Sequence, residues 1–173
     1  MHEDVFEVID EAGKKISTAS WEEIHSQGLL HRGAGVLIFK DESREEVLLQ
    51  RRSLGITNPG RWQHSAGGHV VAGDTPDECV RKEIQEELFH GHALPPLSLR
   101  KICLFRQKDM PGNEEIFHVY ETVYPGPFFP NSEEVFGEVV WMKLADVAKD
   151  MAADPEKYSP SSCSVVEEYL KHR

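Results

Sequence analysis

Glu83, Glu86 and Glu87 fall at positions i, i+3 and i+4 of one short segment. On an α-helix that spacing brings their carboxylates together. Like charges so placed cost an isolated helix about 0.2–0.5 kcal/mol per pair, so the cluster either faces water or serves a cation. Clustered carboxylates are hard oxygen ligands suited to Mg²⁺, with Mn²⁺ as a second candidate. Directly upstream runs Gly67-Gly68-His69-Val70-Val71-Ala72-Gly73, a glycine-rich loop of small residues that lets a ligand approach the backbone. That neighbour favours the metal reading over a solvated charged face.

The helix that must carry the glutamates opens with Thr75 as N-cap, Pro76 at the first helical position and Glu78 three residues after the cap. This is a capping box with the favoured proline. Val80, Ile84 and Leu88 recur every four residues as an apolar stripe. The pattern predicts a helix through Leu88 that ends near Gly91.

Gly68, five residues, Asp74, seven residues, Lys82, and then Glu83-Ile84-Gln85-Glu86-Glu87 resemble the Nudix box, here residues 68–90. Asp74 stands where that family usually has Glu, Lys82 where it has Arg, and Phe89 where it has Gly. Lys for Arg exchanges a bidentate fork for a point charge. The resemblance implies an α/β (α+β) fold of the Nudix type, an α/β/α sandwich around a central mixed sheet. It implies water attack on a phosphorus of a diphosphate, either a nucleoside diphosphate derivative or a related organic diphosphate. Mg²⁺ would be held by Glu83, Glu86 and Glu87, with the Gly68 carbonyl as a further ligand. Lys82 would pair with a neighbouring carboxylate and orient it, with Asp74 assisting at the loop.

Leu30-His31-Arg32, Leu48 to Ser53, Pro59 to Trp62 and Ser65 to His69 are similar to the isopentenyl-diphosphate-isomerase-like branch of the family. So are Trp141 to Leu144 and Asp154 to Pro160. That branch's isomerases use a cysteine just before the box, where this chain has Gly67, and glycine cannot act as an acid. His31 and His69 match histidines that bind a second metal there, with His25 nearby and Glu114 or Glu115 later. The alternative for each histidine is an ordinary satisfied polar residue, and their joint role stays open here. Besides hydrolysis, two readings therefore stand: an isomerase-like enzyme, and an impaired diphosphate-binding module.

For the substrate, Arg51 and Arg52 at a strand end suit phosphate oxygens, although alternation lets only one face the site. His69 is the third candidate contact. Glu133, Glu134 and Glu138 follow a proline-rich loop and read as solvated acids.

The 173 residues suggest one domain over 1–173, and 39% hydrophobic residues suffice for a core. A net charge of −11 argues against nucleic acid as partner and leaves a small-molecule diphosphate. Whether the protein is a monomer or homodimer is open. Three dispersed cysteines, Cys79, Cys103 and Cys163, fit a reducing compartment. No apolar run is long enough to span a bilayer, so a soluble cytoplasmic protein is expected.

Around the box, a hairpin is expected over about 4–17, followed by a helix capped by Ser20. Strands are expected at Gly33–Phe39 and Glu46–Arg52, the pair forming the centre of the sheet, and a short one at Trp62–Ala66. Leu97–Arg106, Ile116–Val123 and Val139–Met142 read as further strands. Helices at Leu144–Met151 and Ser164–His172 close the chain, within 144–172.

Overall fold

The computed structural model describes residues 4–173. Strands β1 (Val5–Ile9) and β2 (Lys15–Ser20) form the expected hairpin. Its second strand runs on to Ser20, which caps α1 (Trp21–Gln27) through a full capping box with Glu23. Gly28, in the left-handed region at φ 62°, ends that helix and turns the chain into β3 (Leu30–Phe39).

β3 is buried along nearly its whole length, as befits the middle of a sheet covered on both faces. Its long partner is β8 (Glu114–Val123), parallel and in register from Leu30–Glu114 to Phe39–Val123. β3 and β4 (Glu46–Arg51) are neighbours in the middle of the sheet, as expected, but their ladder is short and pairs Phe39 with Val47. Parallel partners lie far apart in sequence, so strand patterns along the chain do not reveal the pairing. The rest of that edge of β3 is taken by β6 (Ala66–His69). The expected strand at Trp62–Ala66 is two strands, β5 (Trp62–Gln63) on β4 and β6 on β3, broken at His64-Ser65. The start of the glycine loop is thus strand rather than loop. β7 (Arg100–Gln107) pairs with β8, and β9 (Val140–Lys143) with β4.

The sheet is mixed and sandwiched. Ala34, Val36 and Ile38 pack against α2 (Pro76–Glu83) and the turn that continues it, where Val80, Ile84 and Leu88 are fully buried. Each such side chain contributes on the order of 1.5–3 kcal/mol when fully buried. Leu37 and Phe39 face α3 (Leu144–Ala153) and α4 (Pro160–His172). The last helix starts four residues earlier than expected. Pro160 occupies the first helical turn, where proline needs no N–H partner, and Ser159 caps it.

The box helix changes pitch. After Glu83 it continues as a π-helical turn, Ile84–Leu88, and ends at Phe89 instead of near Gly91. The ending has a local cause. The loop at Phe129 to Asn131 donates its N–H groups to the Leu88 and Glu87 carbonyls, and the His90 N–H goes back to Phe129. These bonds satisfy the terminal carbonyls that a longer helix would otherwise use.

Candidate active site

β6 is a thin wall with a cluster on either side. Gly68 faces the box helix, so close to the Glu83 carboxylate that a Cβ there would collide with it. Any side chain at 68 would have to displace that carboxylate. Glu83, Glu86, Asp74 and Lys82 line the cleft on this side, together with Gly68, His69 and Trp21. Glu86 is exposed, and Glu87 lies underneath at 7% exposure. Gln50 Nε2 donates to Glu87 at 2.5 Å and to the Ser65 carbonyl at 3.0 Å, which fixes the carboxylate.

Electrostatics set these carboxylates apart from a solvated face. Burial, then the charges of Glu86 and Glu134, push Glu83 up to about 7. Burial and the charge of Glu83 push Glu87 well above the usual carboxylate range, against the opposing pull of Gln50 and Arg52. Buried like charges of this kind call for a cation. The oxygen set fits a hard divalent ion. Lys82 does not supply the positive charge: it pairs with Asp74 at 2.6 Å and ties the loop to the helix.

On the other side of β6 lies a cavity of about 250 Å³ lined by His25, His64, His69 and Glu115, with His31 buried behind them. The β3–β8 register sets His31 beside Glu115, and the β3–β6 register sets His69 opposite Gly33. Nitrogens of His25, His31 and His69 lie within 4.8 Å of one another. Nε2 of His31 and of His69 are each 3.7 Å from Glu115 Oε1 and have no hydrogen-bond partner. His25 Nδ1 donates to the Trp21 carbonyl at 2.8 Å and His31 Nδ1 to the Leu29 carbonyl at 2.9 Å, which leaves both Nε2 lone pairs free. That tautomer is the one a metal-binding imidazole needs. Burial lowers His31 and raises Glu115, and burial with the His25 charge lowers His69 to about 4. Gln107 and Asn113 donate to Glu115 Oε2 at 2.8 and 3.0 Å.

The two arginines separate. Arg52 lines the cavity, bonded to Gln63 and the Thr57 carbonyl. Arg51 is exposed and points away, over the rings of Trp62 and Phe136 at 5.4 and 5.8 Å. Consecutive strand residues face opposite ways, and the site takes only one. Glu134 reaches the site as a charge felt by Glu83 and Glu87. Gln50, His64 and Asn113 carry no motif signal, because each acts through a contact made only in the folded chain.

Buried histidines held neutral give a pH dependence. Burial, with the Arg52 charge, pushes His64 down to about 3, and burial with the Lys101 and Arg32 charges pushes His118 to about 4. At these two sites the unfolded chain binds more protons between about pH 3–4 and 6.5, so their contribution to stability falls as pH drops through that window, while the raised carboxyls of Glu83 and Glu87 act in the opposite sense. The neutral His64 alone costs about 2 kcal/mol at pH 5. In melting curves from pH 7.5 to 5, the slope of Tm against pH is expected to be lower for His64→Asn than for the unsubstituted protein. An unchanged slope would refute the assignment.

The NUDIX domain model matches residues 29–161, more than half of the chain. This chain belongs to the Nudix family. Nudix hydrolase 3 of Arabidopsis thaliana is 37% identical over 92% of the chain, which spans only 22% of that protein's length. The isopentenyl-diphosphate Delta-isomerase of a Jannaschia species is 33% identical over 80% of the chain and 78% of the relative, consistent with the isomerase-like branch. Among solved structures, DR0079 from Deinococcus radiodurans superposes with a TM-score of 0.74 at 20% identity, covering 95% of this chain and 98% of its own. That likeness supports the Nudix fold. Among the described residues no helix is long and apolar enough to cross a membrane.

Proposed function

We propose that the chain hydrolyses a diphosphate linkage by attack of water on phosphorus. The observation that carries this reading is the pair of carboxylates, half-buried Glu83 and buried Glu87, both raised in pKa, with Glu83 packed beside the bare backbone of Gly68. Glu83, Glu86, Glu87 and the Gly68 carbonyl would hold the cation. When bound, Mg²⁺ or Mn²⁺ neutralises phosphate oxygens and acidifies a coordinated water. Gln50 orients Glu87 from below, and Lys82 with Asp74 holds the loop against the helix. Glu86, open to the cleft, takes the proton of the attacking water. Arg52 binds a phosphate of the substrate from the cavity that shares Trp21, Gly68 and His69 with the glutamate cleft. Phosphate release across a panel of nucleoside diphosphate derivatives and isoprenoid diphosphates, each with product identification, tests the reading. No release from any of them at saturating Mg²⁺ overturns it.

A second reading, isomerase-like chemistry, draws on the His25–His31–His69 cluster with Glu115. Gly67 weakens it, since the position that carries the isomerases' cysteine has no side chain here. Nor does the fold leave room for one: a Cβ at 67 would lie 2.8 Å from both His64 Nε2 and the Ala34 carbonyl oxygen. Gly67→Cys is therefore expected to yield no allylic product from isopentenyl diphosphate. It should also lower Tm by several degrees, for an overpacking cost of about 1–3 kcal/mol. Allylic product from that variant, read by mass spectrometry, would restore the isomerase reading.

A further inference from the structure

His64 lines the same cavity, and the reaction above gives it no task. It is 2% exposed. The Ser162 Oγ accepts its backbone N–H at 2.8 Å and lies 2.9 Å from its Nδ1. Ser159 Oγ stands 2.8 Å behind Ser162 Oγ, and the ring meets Phe117 edge to face at 6.1 Å. The imidazole is thus fixed at its Nδ1 edge by Ser162 and against Phe117. Its Nε2 is buried and has no partner, a condition that costs about 1–3 kcal/mol in a folded protein.

The strands around that nitrogen are stripped of side chains. A Cβ on Gly35 would lie 2.6 Å from Nε2 and one on Gly67 2.8 Å, and these two glycines are register partners across β3 and β6. Gly67, Arg52, Ser159 and Ser161 line the same cavity. A fixed imidazole beside a guanidinium, with bare backbone over it, is built to receive an anionic oxygen.

We propose that His64 is a substrate-contacting residue whose Nε2–H donates a hydrogen bond to a phosphate oxygen of the diphosphate, on the side of β6 away from the box glutamates. The assignment rests on the diphosphate reading above. The hydroxyl chain makes the required tautomer self-consistent: Ser159 Oγ donates to Ser162 Oγ, and Ser162 Oγ donates to Nδ1. Ser162 Oγ still has a lone pair for the His64 backbone N–H. Burial and the Arg52 charge hold the ring neutral at physiological pH, so it donates without carrying charge.

The probe is inorganic pyrophosphate with Mg²⁺, read by ¹⁵N NMR of histidine-labelled protein and by calorimetry. In the free protein Nε2 of His64 is expected to be the protonated, pyrrole-type nitrogen, and its resonance should move on saturation with pyrophosphate. Two isosteres separate contact from scaffold. His64→Asn keeps an amide where Nδ1 meets Ser162 but lacks Nε2. His64→Gln places its amide nitrogen near the Nε2 position. Pyrophosphate affinity should fall about tenfold or more in His64→Asn and return to within a few-fold in His64→Gln, whichever of the two is the more stable. A pyridine-type Nε2, a resonance unmoved by saturating pyrophosphate, or affinities that merely follow Tm in both variants would overturn the proposal. Loss of the hydrolase reading looks different. In that case no diphosphate is cleaved, while the His64 resonance still moves with pyrophosphate.

Discussion

Replacing Glu87 by Gln is expected to lower kcat by two or more orders of magnitude and to raise the Tm of the metal-free protein. The kinetic loss corresponds to roughly 3 kcal/mol or more in barrier. It follows from removing one charge from the oxygen set while keeping its shape. The stability gain follows from burial: Glu87 is 7% exposed beside Glu83, and its charged form is disfavoured there. The introduced amide oxygen would still accept the hydrogen bond that Gln50 donates to the native carboxylate. Glu86→Gln should match the kinetic loss with little change in Tm, because Glu86 is exposed. Glu78→Gln is the control on the same helix. Its carboxylate accepts from the Thr75 N–H and hydroxyl, so the variant should weaken the cap and leave kcat nearly intact. A solvated charged face would instead give small, equal kinetic effects for all three. Steady-state kinetics with melting curves at matched pH decide between these outcomes.

Activity in excess EDTA is expected to fall to background and to return with Mg²⁺ or Mn²⁺. No cationic side chain among the described residues pairs with Glu83, Glu86 or Glu87, and carboxylates by themselves repel a phosphate. Lys82, next to Glu83 in the chain, is spent on Asp74, and Arg52 acts on Glu87 only as a charge at a distance. The cation should also stabilise the fold by mass action. At a hundred times its Kd the gain is about 2.7 kcal/mol, or about 5–10 °C in Tm for a chain of this size. The Tm shift should vanish in Glu87→Gln, which ties the ion to the box rather than to the histidines. Full turnover in EDTA would sink the metal-dependent reading.

The parts of the molecule that were legible in advance are those whose chemistry is local. Thr75, Pro76 and Glu78 announce the box helix because capping is decided within four residues. Ser20 with Glu23 announces α1 in the same way. The glutamate spacing marked the candidate metal ligands, although the pitch change after Glu83 left no trace in the apolar period. What was illegible is tertiary. Gln50 orients Glu87 across 37 positions, and His64 meets Ser162 across 98. Arg51 and Arg52 are equal in sequence and are separated only by the opposite directions that neighbouring residues take at the end of β4. β4 next to β3 was legible because it is the next strand along the chain, whereas the longer parallel ladder of β3 with β8 was not.

That parallel pairing bears on how the protein is made. Every residue of β3 finds its β8 partner 84 positions later. At about 5–20 residues per second of synthesis, β3 waits on the order of 4–17 s for its neighbour to be translated. Through that interval one of its edges is unpaired and its apolar faces are only partly covered, a condition that recruits chaperones or invites aggregation. His31 and Glu115 meet only through this closure, so the cavity and the sheet are born in the same event. A nascent chain stalled before Glu114 would carry the whole glutamate box and still lack the other half of its pocket.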